Sequence, residues 1–499
     1  MGLFPGKEDL DLTEGGVAKP LFFLALPIVI TNLLQTAYNL ADTFWLGQYS
    51  NTALAAISFA FPMVFLFISL GLGISVAGSV LVAQNTGRGD ERQAEYAAAQ
   101  TVVFALAASA VLGVIGFFVV DDLLTIFGAA PATLVEATKY MKVITLGLPA
   151  MFGFFIFISL MRGYGDTVTP MLVMLVTVIL NVVLDPFLIN GWAFFPELGI
   201  EGAAYATVFS RVLATVAGFG IMFSGKRGVR LRLSDMKPDF GYLREILNIG
   251  IPASVEGVSR SLSVNLLLII VGTFATEVVS GYGIGVRVFS VIFLPAIAVA
   301  RGVETMAGQN IGAGKPDRAE TAADVAAVAT FLILGGIGVL VFLFPEPIVR
   351  VFTDPSNPGT EQVVATGAQF LRYVAVTFGF IGVVRAYTGA FRGAGQTMVS
   401  AIITITFLGF IRLPVAAGLA LGIGGVYTLP LVGVSLTVPQ VVTAMGPAGI
   451  WWGFVVSNIV GALLALAWFK RGRWRDAELR GSDAAPTDAD DMDAAASDD

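Results

Sequence analysis

The sequence predicts an all-α polytopic membrane protein whose twelve transmembrane helices form two six-helix lobes, one a parallel repeat of the other. Three observations predict it. Of 499 residues, 56% belong to the apolar and aromatic set and 13% are charged, with a mean hydropathy of +0.82. Water-facing globular chains carry about 25% charged residues, so this chain lacks the charge to coat a solvated surface. The apolar residues recur in runs of roughly 20, long enough to cross a ~30 Å hydrocarbon core, and the first half of the chain reappears in the second.

In chain order, the runs of the first half begin near Leu21, Ala55, Ala97, Tyr140, Pro170 and Gly202. Those of the second half begin near Ile246, Gly281, Ala322, Thr366, Val399 and Ala448. Short polar or Gly/Pro-rich breaks separate them. The stretch 421–447 is Pro/Gly-interrupted and reads as an outer loop or a re-entrant insertion. The opening MGLFPGKEDLDLTEGG has no apolar core, which argues against a cleaved signal peptide.

An even number of spans puts both termini on one side. The loops of that side hold nineteen Lys and Arg, among them Arg162 and Arg392, against four on the other: Lys139, Lys142, Arg350 and Arg372. Lys and Arg concentrate in cytoplasmic loops, so a cell-membrane protein with both termini in the cytoplasm is expected. From Asp476 to Asp499 nine acids face a single base, Arg480, so the net charge of −7 belongs to this tail. Its composition predicts disorder.

The repeat aligns residues 20–95 with 245–320 at a constant offset of 225. Pro27 falls on Pro252, and Gln84-Asn85-Thr86-Gly87-Arg88-Gly89 falls on Gln309-Asn310-Ile311-Gly312-Ala313-Gly314. A second block aligns at offset 230, with Arg162-Gly163-Tyr164-Gly165 on Arg392-Gly393-Ala394-Gly395. Matching apolar residues is cheap in a membrane chain, whereas matching QN-x-G-x-G and RG-x-G-x-T in order is not. The expected organisation is a cytoplasmic N-terminal segment (1–19), an N-lobe (20–225), a basic cytoplasmic linker (226–241), a C-lobe (242–470) and the acidic tail (471–499). Parallel repeats of this kind are typical of secondary transporters, with the substrate site between the halves.

The chain contains no His and no Cys. Thiol nucleophiles, imidazole bases, disulfides and His-rich metal sites are excluded, so chemistry falls to carboxylates, amides, hydroxyls and Arg. No cofactor is expected, and an enzymatic role is not. An intramembrane charge costs several kcal/mol on insertion scales, so each one needs a reason. In the first span Asn32, Gln35, Asn39 and Asp42 fall within roughly 80° of one another at 100° per residue, a polar stripe on an apolar helix. In the fifth span Thr177, Asn181 and Asp185 form a second stripe. Two such acids, if close and dry, hold a shared proton; with amide oxygens around them the same atoms coordinate Na⁺ at Asp42, Asn181 and Asp185. Asp42 maps onto Leu267 and Asp185 onto Val415, so this chemistry is confined to the N-lobe. Pro27 sits below Asp42 and is a candidate hinge.

In the C-lobe, Glu256 pairs with Arg260 at i,i+4 and Arg301 with Glu304 at i,i+3, while Arg287, Arg385 and Arg412 have no local acid. Glu256 reads either as a paired structural charge or as a cavity residue meeting a cationic substrate. Phe152, Phe154, Phe155 and Phe157 read either as packing or as a face for flat lipophilic cations.

Four segments then resemble one family closely. LALPIVITNLLQTAYNLADTFWLG in the first span, VAQNTGRGD after the second, LMRGYGDTVTPM after the fourth and ILNVVLDP in the fifth resemble multidrug and toxic compound extrusion (MATE) transporters, most of all the prokaryotic DinF-like branch. The resemblance spans nearly the whole chain except the two tails. It implies a cation-coupled exporter of lipophilic or cationic small molecules, working in contact with membrane lipids, as a monomer and without nucleic acid. It implies that Asp42, Asn181 and Asp185 bind the coupling ion, joined by a sixth-span Thr, here Thr207. Tyr38 and Tyr140 resemble the family's cavity-lining tyrosines, with Gln35 and Asn39 on the same stripe, and Pro27 resembles its first-helix bend. The family divides between H⁺ and Na⁺ coupling. The rival reading is a lipid-linked oligosaccharide flippase of the same superfamily, favoured by the unpaired C-lobe arginines.

Overall fold

The computed structural model describes residues 11–126, 131–429 and 434–475. The first ten residues and the acidic tail beyond 475, including its expected disorder, lie outside the described residues. The first half holds α1 (Ala18–Tyr49), α2 (Asn51–Arg88), α3 (Glu91–Ile126), α4 (Pro131–Leu146), α5 (Leu148–Tyr164), α6 (Val168–Asn190) and α7 (Ile200–Ser224). The second holds α8 (Phe240–Val271), α9 (Thr276–Ile292), α10 (Leu294–Gly312), α11 (Pro316–Leu343), the short α12 (Pro345–Arg350), α13 (Thr360–Ala375), α14 (Phe378–Gly393), α15 (Thr397–Ile405), α16 (Leu413–Leu421) and α17 (Pro447–Lys470).

Among the described residues ten segments are long and apolar enough to cross a membrane on their own, with α9–α10 and α15–α16 each counted as one. Two further spans are bent pairs: α4–α5 at 56° and α13–α14 at 54°. These make twelve, in two lobes. The two breaks fall at matching positions of the repeat. The one departure from an all-helical chain among the described residues is 421–447, where β1 (Ile423–Leu429) pairs antiparallel with β2 (Val434–Val442). The two strands pair as a ribbon where the sequence shows a Pro/Gly-interrupted break.

Each half has its own apolar core, yet the starts of the two first helices pack on the opposite lobe. Leu21 at the start of α1 packs in a cluster with Val303, Met306 and Ala307 of α10. Its repeat mate α8 does the reverse: Tyr242, Ile246 and Ile249 pack against α2, α3 and α5. The repeated motifs tie the lobes at the same end. Gln84 Nε2 donates to the Gly393 carbonyl (3.0 Å), and Gln309 Nε2 donates to that of Gly163 (3.0 Å). A Cβ on Gly87 would lie 1.9 Å from the Gln309 carbonyl oxygen, and one on Gly312 would lie 1.9 Å from that of Gln84. Glycine is required at both positions because backbone touches backbone. The leader joins this closure: Arg318 donates to the carbonyls of Leu12, Glu14 and Gly15, and Asn310 Nδ2 donates to that of Leu12 (2.9 Å).

The linker is folded against the N-lobe as well. Arg92 makes a two-pronged ion pair with Asp235, and Gln100 donates to the carbonyls of Asp235 (2.7 Å) and Lys237 (2.8 Å). Asp239 caps α8, accepting from the backbone of Gly241 (2.8 Å) and Tyr242 (3.2 Å) and from Tyr96 Oη (2.9 Å). This satisfies orphan donors of the first helical turn.

Candidate functional site

The site is built where α1, α6 and α7 meet. Of the polar stripe of α1 only Asp42 is buried, at 1% exposed, with Tyr38 beside it at 3%; Asn32 and Gln35 are half-buried and Asn39 is exposed. On α6, Thr177, Asn181 and Asp185 share one buried face. The side chains of Asp42 and Asp185 face one another at close range, with Thr207 of α7 beside Asp42 and Tyr38. Asn181 Nδ2 donates to Asp185 Oδ1 (3.3 Å), one turn along the same helix. Tyr140, from α4, lies buried in the electrostatic field of both acids. α1 is 32 residues long against 23 for α6. The longer helix starts further from the site, which lets acids at different depths from their helix starts meet.

Five buried oxygens crowd together here without a well-formed hydrogen bond, Tyr38 Oη, Asp42 Oδ1, Asn181 Oδ1, Asp185 Oδ2 and Thr207 Oγ1, although Asp42, Asp185, Thr207 and Tyr38 lie close enough to interact with one another. Each unsatisfied buried polar group costs about 1–3 kcal/mol. Five gathered around two carboxylates form a donor set of hard oxygens, suited to a proton or a small alkali cation. No group of three or more His, Cys, Asp or Glu side chains arranged for a metal ion exists among the described residues.

One member was missed by the sequence reading. Arg211 on α7 is 2% exposed and lies 4.8 Å over the Tyr38 ring and 5.0 Å over that of Phe154. Its Nη2 donates to Gln35 Oε1 (2.8 Å), and Gln35 in turn donates to Asn39 (3.1 Å). A lone Arg in the middle of a span was the available signal. The phenylalanine run is otherwise core: Phe152, Phe154 and Phe157 are buried, and Phe154 already holds a cation of the protein itself. α1 passes through Pro27 as one uninterrupted helix.

Glu256 is not part of this cluster. It lies in the C-lobe, accepting from Arg260 (3.1 Å), Arg392 (3.2 Å), Ser400 (2.7 Å) and Thr404 (3.4 Å). Of the two readings of Glu256, the paired structural charge describes it. Arg392 needs correcting, for it is no loop residue. It is buried at the end of α14, where Nε donates to Glu304 (2.9 Å) and Nη1 to Glu256. Arg301 completes the group with Glu304 (3.0 Å). Arg412 has no acid partner among the described residues, and instead donates to Ser457 (2.9 Å) and Asn458 (2.7 Å) while lying 4.3 Å over the Phe454 ring.

The repeat and the paired acids can be set beside known proteins. A family model described as MatE matches residues 27–187 and again 252–417. The two matches begin 225 residues apart and end 230 apart, the two offsets of the internal repeat.

The chain belongs to the MATE family.

Among its relatives, a probable multidrug resistance protein NorM of Thermotoga maritima is 28% identical over 92% of this chain and 93% of that protein. An FAD transporter of Shewanella oneidensis is 26% identical over 82% of this chain and 90% of that protein. A solved structure of an outward-facing multidrug resistance MATE transporter of the MOP superfamily superposes with a TM-score of 0.82 at 25% identity. It covers 92% of this chain and 97% of its own. This MATE protein is therefore a multi-pass membrane transporter and not an enzyme.

Proposed function

We propose that this chain is a secondary active exporter that exchanges amphipathic organic cations against H⁺ or Na⁺ at Asp42, Asp185, Asn181 and Thr207. The observation that carries the reading is the meeting of two buried carboxylates with the oxygens of Tyr38, Asn181 and Thr207 inside one lobe. Neutralising that pair removes the charge repulsion, and the bound ion gives some of these oxygens a partner, so ion uptake changes the free energy of packing between α1, α6 and α7. Pro27, whose ring removes one backbone bond of α1, is the place for that helix to yield. Tyr38, Gln35, Asn39 and Tyr140 line the neighbouring space where an apolar cation competes with the ion for one conformation. Such competition is what coupled exchange requires.

The protein sits in the plasma membrane as a monomer, both termini in the cytoplasm, because the motif-loop end carries the excess of Lys and Arg. On that orientation the end closed by the repeated motifs is cytoplasmic. Its affinity to the DinF-like branch rests on the α1 and ILNVVLDP segments. The named multidrug relatives support export of small molecules over oligosaccharide flipping.

The test is ethidium efflux from proteoliposomes under a H⁺ gradient or a Na⁺ gradient imposed separately. One gradient should drive efflux in the wild type, and Asp42→Asn should abolish it. Efflux by Asp42→Asn at the wild-type rate would overturn the reading.

A further inference from the structure

The C-lobe holds a second charged cluster whose sum is opposite to that of the N-lobe site. Five guanidinium groups gather there: Arg260 on α8, Arg301 on α10, Arg385 and Arg392 on α14, and Arg162 from the end of α5 in the other lobe. Among the described residues only Glu256 and Glu304 oppose them, leaving an excess of three positive charges. Both acids are saturated. Glu256 accepts from two arginines and two hydroxyls, and Glu304 from Arg301 and Arg392. Among the described residues Arg385 and Arg162 make no ion pair and no side-chain hydrogen bond, although each lies in the field of Arg301. The backbone places Arg162 at this cluster, because Thr305 Oγ1 of α10 donates to its carbonyl (3.1 Å).

The two kinds of arginine are placed differently. Arg392 is 7% exposed and is used up bridging the two acids. Arg260 and Arg301 remain 32% and 25% exposed, each bound to a buried acid. Within a bilayer such an excess is costly unless an anion offsets it. A monovalent anion offsets one charge of three. A phosphate monoester carries about −1.5 to −2 and presents three acceptor oxygens, and guanidinium forks match those oxygens in pairs.

We propose that Arg260, Arg301 and Arg385, with Arg162 reaching from the opposite lobe, form a binding site for the phosphate group of an amphipathic molecule. The site is formed by residues of both lobes, so it exists only while they are closed at the motif-loop end. It makes the interior of the protein bipolar, with acids in the N-lobe and guanidiniums in the C-lobe. The phosphate can belong to a soluble compound or to a lipid headgroup, and the experiment separates these sources.

The test uses the full-length protein in nanodiscs of phosphatidylcholine, with equilibrium binding of 4-methylumbelliferone and of its phosphate ester in the absence of any ion gradient. The ester should bind at least tenfold more tightly than the parent, and Arg385→Gln should remove that advantage while leaving the parent unchanged. Arg385 has no partner to lose, so the variant should fold; Arg162→Gln gives a second reading from the other lobe. Adding phosphatidylglycerol distinguishes the sources. A loss of ester affinity in the wild type alone assigns the site to an anionic headgroup, and unchanged affinity assigns it to a soluble phosphate. Equal binding of ester and parent by the wild type would overturn the proposal, as would an ester preference that survives in both variants. Asp42→Asn should keep the ester preference whatever it does to efflux, so failure here and failure of the ion-coupling reading are distinguishable.

Discussion

At the scale of single residues, Arg211 decides how the N-lobe acids are tolerated. It is stacked on two aromatic rings and hydrogen-bonded to Gln35, and its positive charge lies in the field of Asp42. Removing one partner of a buried charge group costs about 3–5 kcal/mol, because the remaining charge is left uncompensated. Arg211→Ala should therefore lower thermal stability by about 3 kcal/mol. The double variant Arg211→Ala/Asp42→Asn should be less destabilised than the sum of its parts by about 1 kcal/mol. Strict additivity in thermal unfolding would show that the two charges do not communicate. The acids themselves were legible as stripes at helical spacing on apolar spans. Arg211 was not, because no stripe points to it: its partners come from α1, α5 and α6, and only packing brings them together.

At the scale of elements, the first half shows continuous helices where the second shows irregular ones. The region of α6 that carries Thr177 and Asn181 corresponds, at offset 230, to 406–412, which is a π-helical turn between α15 and α16. Such turns rotate the side chains that follow them, and this one precedes the Arg412 group. Periodicity could not show it, since the run from Thr397 to Leu421 is apolar throughout. The ribbon at 421–447 was hidden for a related reason: its Gly and Pro content marks a break without saying what fills it. The linker was readable as basic but not as ordered, since the order comes from Arg92, Tyr96 and Gln100 on α3. One consequence is pH-dependent. The hydroxyl of Tyr96, helped by the amides of Tyr242 and Gly241, holds the Asp239 carboxyl below its ordinary value of about 3.9. The capping stability is thus fully present above about pH 5 and is lost as pH falls through the unfolded value towards the folded one. Hydrogen exchange at Gly241 and Tyr242 should quicken below about pH 4, and Tyr96→Phe should move that onset upward. An onset unchanged by the substitution would separate the cap from Tyr96.

At the scale of the whole molecule, the repeat is also the closing device. Gln84 and Gln309 reach across to Gly393 and Gly163, and Gly87 and Gly312 leave no room for a methyl group against the opposite backbone. The two lobes were legible because these motifs recur in order; that they grip one another was not, since spacing carries no contact across lobes. Gly312→Ala should open this end, at about 1–3 kcal/mol of overpacking. With no native cysteine, spin labels at Lys139→Cys and Arg350→Cys, both half-exposed and one in each lobe, report the far end directly. The distance between them should shorten in Gly312→Ala relative to the parent. An identical distribution would mean that the glycine contact does not set the balance between conformations.

The leader also bears on the order in which the chain is made. Its partners are not in the lobe it precedes: the carbonyls of residues 12–15 are held by Asn310, Lys315 and Arg318, about three hundred residues later. A nascent chain that has completed its first six spans still has a loose beginning, and α1 has no C-lobe neighbour for Leu21. Contacts of such sequence separation form late. The finished protein is therefore fastened at residues 12–15 by the junction of its eighth and ninth spans, and a product that stalls before residue 310 lacks that fastening.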